Sequence, residues 1–504
     1  MQTIATLFRE AVNDAGDAPF LTLADGTSIS YADAWARTTA LAARFRALGV
    51  KDGDRIAIHA EKSPDALFVY LAAQRVGAVF LPLNTAYTAD ELEYFLADAT
   101  PALFICRPQD ETALAALCSR IGLPCCKSLG TAGDGTLCDG LNAAAPEDFT
   151  DASRGPDDLA AILYTSGTTG RSKGAMLTNA NLVSNGLTLR DYWRFTREDV
   201  LLHALPIFHT HGLFVATNTI LAARATMIFL PKLDVPSMLD LMAQATTMMG
   251  VPTFYTRLLD DPRFTRDVAA HMRLFISGSA PLSADVHREF SERTGHAILE
   301  RYGMTETNMI TSNPYDGARV PGSVGFPLPG VSVRIADPET GAELPQGEIG
   351  GIEVKGPNVF VGYWQMPEKT KQEFRADGFF ITGDLGRVDE NGYVHIVGRS
   401  KDLIISGGFN VYPAEVEALL DELPGIAESA VIAVPHRDFG EAVVAVVQGR
   451  DSSLTEEAII AAIADKLARF KQPKRVFFVS ELPRNAMGKI QKAQLREQFA
   501  ATFA

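Results

Sequence analysis

Short apolar runs alternate with amphipathic stretches along most of the chain, the pattern of an α/β protein. The segments "RIAIHA" (55–60), "AVFLPL" (78–83) and "ALFIC" (102–106) read as strands. Between the last two, "TADELEYFLADA" carries Thr88 and Glu91 at capping-box spacing ahead of an amphipathic helix. The alternation continues through "LAAILYT" (159–165), "LLHALPIF" (201–208), "ATMIFLP" (225–231) and "MRLFISG" (272–278). "GVPTFYTRLL" reads as a strand ending at Pro252 and a helix beginning near Thr253.

From about residue 330 to 398 the texture changes to short β-rich runs broken by turns such as "DENGY". A smaller α/β unit follows, with "AEVEALLDEL", "ESAVIAVPH", "EAVVAVVQG" and a helical "LTEEAIIAAIADKLARF". The expected fold is therefore α/β. Residues 1–398 form a large N-terminal domain of layered sheets with a small β-rich subdomain, and residues 399–504 form a small C-terminal α/β domain. No internal repeat or low-complexity tract interrupts this plan.

Composition narrows the function. The chain has 504 residues, enough for roughly two to four domains. Lys and Arg number 46 against 61 Asp and Glu, a net charge of −15. Such a field repels polyanions, so neither nucleic acid nor an anionic membrane is an expected partner. An anionic substrate must then meet a local cluster of cations. No apolar run approaches the ~18 residues of a membrane span, and the N-terminus lacks the pattern of a secretory signal. The cysteines, Cys106, Cys118, Cys125, Cys126 and Cys138, are odd in number and lack zinc-site spacing. They read as reduced thiols of a cytoplasmic protein.

The segment "ILYTSGTTGRSKGAM" (162–176) concentrates glycines, hydroxyls and cations behind an apolar run. It is not a Walker A loop, because Lys173 is followed by Gly174 and Gly167 and Gly170 are three apart. Its backbone amides, the hydroxyls of Thr165, Ser166, Thr168 and Thr169, and the charge of Lys173 still suit phosphate oxygens. A flexible surface loop is the plainer alternative for this stretch taken alone.

The chain also contains "ERYGMTET" (300–307), "TGDLG" (382–386), "GRSKDLIISGGFNVYP" (398–413) and "PRNAMGKIQK" (483–492). In this order and at these separations, the motifs resemble the adenylate-forming superfamily of acyl-CoA synthetases, luciferases and peptide-synthetase adenylation domains. The resemblance spans essentially the whole chain. Within it, "HALPIFHTHGLF", "MGVPTFYTRLL" and "FISGSAPL" look most like malonyl-CoA synthetases.

The resemblance implies a two-step reaction. A carboxylate attacks the α-phosphate of ATP, giving an acyl-adenylate and pyrophosphate, and the thiol of coenzyme A then displaces AMP. It implies that Thr165, Ser166, Gly167, Thr168, Thr169, Gly170 and Lys173 hold the β- and γ-phosphates. Thr305 matches the hydroxyl that meets the α-phosphate, and Glu306 the carboxylate that holds Mg2+. Ser279, Ala280, Glu300, Arg301 and Tyr302 are implied among the residues that bind ATP and AMP, Tyr302 offering a flat face to adenine. Asp384 and Arg399 match the ribose contacts. Lys489 matches a catalytic lysine that bridges the substrate carboxylate and the α-phosphate, and matching lysines can be acetylated.

Lys401 matches the hinge about which a mobile C-terminal domain turns between the two steps. Gly407 and Gly408 would then approach the pantetheine tunnel of coenzyme A, and Lys471, Lys474 and Arg475 are candidates for its phosphates.

Malonate carries a second carboxylate, and burying it unpaired would cost several kcal/mol, so a cation must face the acid pocket. In the resembled family the strand-to-helix junction at 251–253 lines that pocket. Arg257, one helical turn further, is the first choice for the distal carboxylate. The alternative is a surface arginine paired with Asp260 or Asp261. His209 matches the histidine or aromatic that gates the pocket, and Ser279 could donate to either carboxylate. His211 reads as structural and Arg288 as pointing away. Competing functions are a synthetase for methylmalonate or acetate and a non-catalytic nucleotide-binding homologue, though the latter should have lost Lys489, Glu306 or Thr305.

Overall fold

The computed structural model describes every residue except 1, 142–148, 166–171, 407–408, 438, 451–453, 486–487 and 504. The described residues form sheets of nine, seven, four and five strands. In the seven-stranded sheet, Val79–Pro82, Arg55–His59, Leu103–Cys106 and Cys126–Ser128 run parallel, and Leu159–Thr165 joins Val79–Pro82 on its other side. The residues of Val79–Pro82 and Leu103–Cys106 are all buried, as expected of parallel strands covered on both faces. Strand and helix alternate here as the sequence pattern predicts. Thr88 and Glu91 exchange capping hydrogen bonds at the head of helix Ala89–Ala99.

The nine-stranded sheet places Leu299–Met304, Leu274–Ser277, Thr247–Gly250 and Val200–His203 side by side and parallel. One apolar cluster runs from this sheet to the seven-stranded sheet through helices Pro64–Arg75 and Thr217–Ala223. Tyr70 of the first helix packs on Phe80 and Phe214 and donates to Asn218 Oδ1 at 3.1 Å. The antiparallel strands Ser332–Ala336, Gly350–Lys355, Phe380–Val388 and Val394–Arg399 make the small β-rich sheet expected after residue 330.

The C-terminal sheet has its own core and is built on the long antiparallel pair Ile426–His436 and Gly440–Gly449. Two expectations change in detail. The strand read over 201–208 stops at His203, because Pro206 cannot donate to a ladder and the chain turns toward the π-helical segment His211–Ala216. The helix read across "LTEEAIIAAIADKLARF" covers Glu456–Ile463. Beyond it, the Gln472 side-chain amide donates to the carbonyls of Ala464 and Leu467 and holds the chain in turns. Among the described residues no helix is long and apolar enough to cross a membrane.

Candidate functional site

Strands Leu159–Thr165 and Lys173–Thr178 form an antiparallel hairpin in which Thr165 stands opposite Lys173. Ser166, Gly167, Thr168, Thr169 and Gly170 lie outside the described residues. The two flanking residues enter one polar cluster. The Lys173 ammonium lies 3.5 Å from Glu373 and 4.1 Å from the centre of the Tyr363 ring. The Tyr363 hydroxyl donates to Glu306 Oε1 at 3.0 Å, and Thr165 Oγ1 donates to the same oxygen at 3.5 Å. Glu306 occupies the turn between strands Leu299–Met304 and Asn308–Ser312, with Thr305 beside it and partly exposed. Burial raises the Glu306 carboxyl, while the Tyr363 bond and the Lys173 charge oppose the shift.

Alternation along strand Leu299–Met304 sends neighbouring side chains to different partners. Tyr302 donates its hydroxyl to Asp384 Oδ2 at 2.5 Å, while Arg399 Nε lies 3.2 Å from Asp384 Oδ1. Asp384 and Arg399 are direct cross-strand partners in the small sheet, which explains why residues fifteen apart share one carboxylate. Tyr302 therefore braces Asp384 besides offering a ring. Glu300, buried and accepting from the Gly322 amide at 3.2 Å, is pushed up by burial to about 8.

Arg301 lies against Gly278. A Cβ on Gly278 would stand 2.5 Å from the guanidinium carbon, so any side chain there would have to displace the guanidinium. Arg301 is 3% exposed, and its Nε and Nη2 have no partner among the described residues. Burial pulls it down to about 9, which still leaves it charged at neutral pH. Ser279, held at a φ of +74°, places Oγ 3.3 Å from His211 Nδ1. Ala280 follows in the same loop, partly exposed. Burial, and then the charges of Lys489 and Arg301, take His209 down to about 3 and keep it neutral. An unpaired guanidinium thus faces a neutral imidazole and a strained serine, a setting made for an anion.

Lys489 reaches this space from the C-terminal domain. Its amide donates to Asn485 Oδ1 at 3.0 Å. A Cβ on Gly488 would lie 3.5 Å from Thr253 Oγ1, so Gly488 seats on the start of helix Pro252–Asp260. Burial first, then the charges of Arg399 and Arg301, pull the Lys489 ammonium down to about 8, while Asp384 and Glu306 oppose them. The groups acting on it thus come from the small sheet, from strand Leu299–Met304 and from the turn that follows it.

Arg257 is placed differently from the expectation. Pro252 starts its helix, and the face carrying Phe254, Tyr255, Leu258 and Leu259 turns into the core. Arg257 falls on the exposed face, where its charge acts on Arg484 of the C-terminal domain. It makes no ion pair with Asp260 or Asp261 among the described residues; Asp261 pairs with Arg263 at 2.8 Å. The buried cation beside Ser279 and His209 is Arg301. Its signal lay in the sequence as an arginine following Glu300 and preceding Tyr302 in a short strand that begins at Leu299.

Lys401 sits in the 3-10 turn Ser400–Asp402, whose Asp402 receives Arg496 at 2.8 Å. Gly407 and Gly408 lie outside the described residues. Lys471 is paired with Glu415 at 2.6 Å and Arg475 with Glu456 at 2.9 Å. Lys474 lies over the Phe439 ring. Arg288 pairs with Asp285 one turn away.

The family profile described as AMP-binding enzyme matches residues 8–364, and that of the AMP-binding enzyme C-terminal domain matches 415–489. The ATP-bound MatB of Rhodopseudomonas palustris is similar at a TM-score of 0.96 and 59% identity, with 100% of both chains covered. The malonate–CoA ligase of Arabidopsis thaliana is 35% identical over 494 residues, 90% of this chain and 79% of the relative. A feruloyl-CoA synthase of Amycolatopsis sp is 37% identical over 481 residues, 94% of each chain. With both profiles matched in order, the first over more than half of the chain, the chain belongs to the AMP-binding enzyme family.

Proposed function

We propose that this enzyme ligates malonate to coenzyme A at the expense of ATP, through a malonyl-adenylate. The observation that carries the reading is the buried Arg301 guanidinium, whose Nε and Nη2 have no partner among the described residues, near neutral His209 and Ser279. A bidentate guanidinium suits the distal carboxylate of a short diacid, and an apolar acid such as ferulate would leave it unsatisfied. The names of two relatives, malonate–CoA ligase and feruloyl-CoA synthase, make this the decisive distinction.

In the first step one malonate carboxylate oxygen bonds to the α-phosphorus of ATP, and the bond to pyrophosphate breaks. Lys489 is assigned to hold the attacking carboxylate and the α-phosphate together, its ammonium offsetting repulsion between two anions. Thr305 is assigned the α-phosphate, Thr165 and Lys173 the terminal phosphates, and Asp384 with Arg399 the ribose. Glu306 suits Mg2+, since the ion takes one or two carboxylates and otherwise phosphate oxygens and water. Its buried carboxyl, anchored by Tyr363, gains most from a neighbouring cation. Bound there, the ion would neutralise phosphate charge. In the second step the thiol sulphur of coenzyme A bonds to the acyl carbon, and AMP leaves with the carboxyl oxygen it acquired. Rotation about Lys401 is assigned to the interval between the steps, with residues 399–504 as the moving body.

The test is AMP formation with ATP, Mg2+ and coenzyme A against malonate, methylmalonate, succinate, acetate, butyrate and ferulate. Malonate is expected to lead, and Arg301→Met to remove that lead. A preference for ferulate or acetate in the wild-type enzyme would leave adenylation in place and overturn the diacid assignment.

A further inference from the structure

Behind His203 lies a buried lysine that makes no ion pair among the described residues. Lys62 follows strand Arg55–His59, immediately before the Ser63 cap of helix Pro64–Arg75, and is 9% exposed. Its Nζ lies 2.7 Å from His203 Nδ1, 3.0 Å from the His203 carbonyl and 4.3 Å from the centre of the Phe229 ring. Phe229 stacks on the His203 imidazole with centroids 5.3 Å apart. The amine thus meets a ring nitrogen, a carbonyl and an aromatic face, a set that satisfies a buried ammonium without a carboxylate.

This arrangement specifies a tautomer. An amine donating to Nδ1 requires that nitrogen to be unprotonated, which puts the ring proton on Nε2. Nε2 lies 2.8 Å from the carbonyl of Gly212 and donates to it. Gly212 belongs to the π-helical turn His211–Ala216, and π-turns are characteristic of functional sites. The turn is tightly seated, because a Cβ on Gly212 would stand 2.2 Å from the Pro206 carbonyl oxygen. The residue before Gly212 is His211, whose Nδ1 meets Ser279 Oγ. The Leu213 amide donates to the His209 carbonyl at 2.9 Å.

We propose that Lys62 is a positioning residue for the acid substrate: through the His203 tautomer it pins the Gly212 carbonyl, and so holds His209 and His211 against Ser279 and Arg301. The nucleotide-binding residues Asp384, Arg399 and Glu306 make no contact with this chain of groups among the described residues. Its loss should therefore be felt by the acid and not by ATP. Burial drives both Lys62 and His203 away from their charged forms, consistent with a fixed hydrogen-bond chain in place of a titrating pair. Neither residue touches substrate, so the effect is one of a supporting layer on the groups that do.

The inference rests on the assignment of Arg301, Ser279 and His209 to the acid, and one experiment separates the two. Steady-state AMP formation is measured with whichever acid the wild-type enzyme uses best, so the malonate assignment is judged from the wild type alone. Lys62→Met and His203→Leu should raise the KM for that acid by about tenfold, the scale of a small misplacement of binding groups, and leave the KM for ATP within about twofold. His203→Gln should restore the acid KM toward the wild-type value, because its amide can accept from Lys62 and donate to Gly212. If Lys62→Met does not fold, the His203→Leu and His203→Gln pair decides the matter. An unchanged acid KM, an equal rise in both KM values, or a His203→Gln enzyme as impaired as His203→Leu would each overturn the proposal.

Discussion

The guanidinium of Arg301 rests directly on the backbone of Gly278, with no room between them for a methyl group. Gly278 follows strand Leu274–Ser277 and Arg301 lies within the parallel neighbour Leu299–Met304, whose register pairs Ser277 with Glu300. The bare backbone at 278 is therefore part of how a charged side chain is accommodated inside the protein.

Gly278→Ala should push Arg301 away from its seat. Because the group displaced is the end of a flexible side chain, little stability should be lost. A rise in the malonate KM well beyond any change in the ATP KM should accompany the displacement. Thermal unfolding and steady-state kinetics on one preparation check both; equal KM values in variant and wild type would exclude the contact from acid binding.

Lys489→Ala should abolish adenylate formation, followed by pyrophosphate exchange, while chemically prepared malonyl-adenylate is still converted to the thioester. The pH dependence follows from the amine. Lys489 is pulled from its ordinary value down to about 8, so it is charged below that pH and neutral above it. Adenylation should fall as pH rises through about 8, and Lys489→Arg should shift that fall to higher pH. Acetylation of Lys489 removes the same charge and should stop the same step. Stoichiometric acetylation with full activity would contradict the assignment.

Tyr363→Phe removes the 3.0 Å hydrogen bond to Glu306 while keeping the ring under Lys173. Loss of one such bond to a buried carboxylate is expected to cost about 1.5–3 kcal/mol. The Mg2+ concentration for half-maximal activity should rise several-fold, with little change in malonate KM. A magnesium titration of the variant decides it, and an unshifted midpoint would separate Tyr363 from metal binding.

Lys401→Pro stiffens the turn Ser400–Asp402 just where the chain leaves the small sheet. Thioester formation should slow far more than adenylation. Single-turnover measurements of the two half-reactions give the ratio, and equal slowing of both would place the hinge elsewhere.

Motif order and local periodicity were enough to read the α/β class, the capping box at Thr88 and the strands that carry the site. Local patterns are set by neighbours in sequence, and strand Leu159–Thr165 ends where its apolar run ends. Asp384, Glu306 and Lys489 were legible too, because each stands inside a short motif. What the chain alone could not decide was which way a helix faces and which distant groups meet. Arg257 and Arg301 are both arginines near an expected pocket. Burial of Phe254, Tyr255, Leu258 and Leu259 turns Arg257 outward, whereas strand pairing lays Arg301 on Gly278. Likewise nothing local joins Lys62 to His203, 141 residues away, or Tyr302 to Asp384, 82 away. Side-chain direction and long-range partners are settled by packing of whole sheets and helices against one another. Which arginine is buried and which is exposed therefore became readable only in three dimensions.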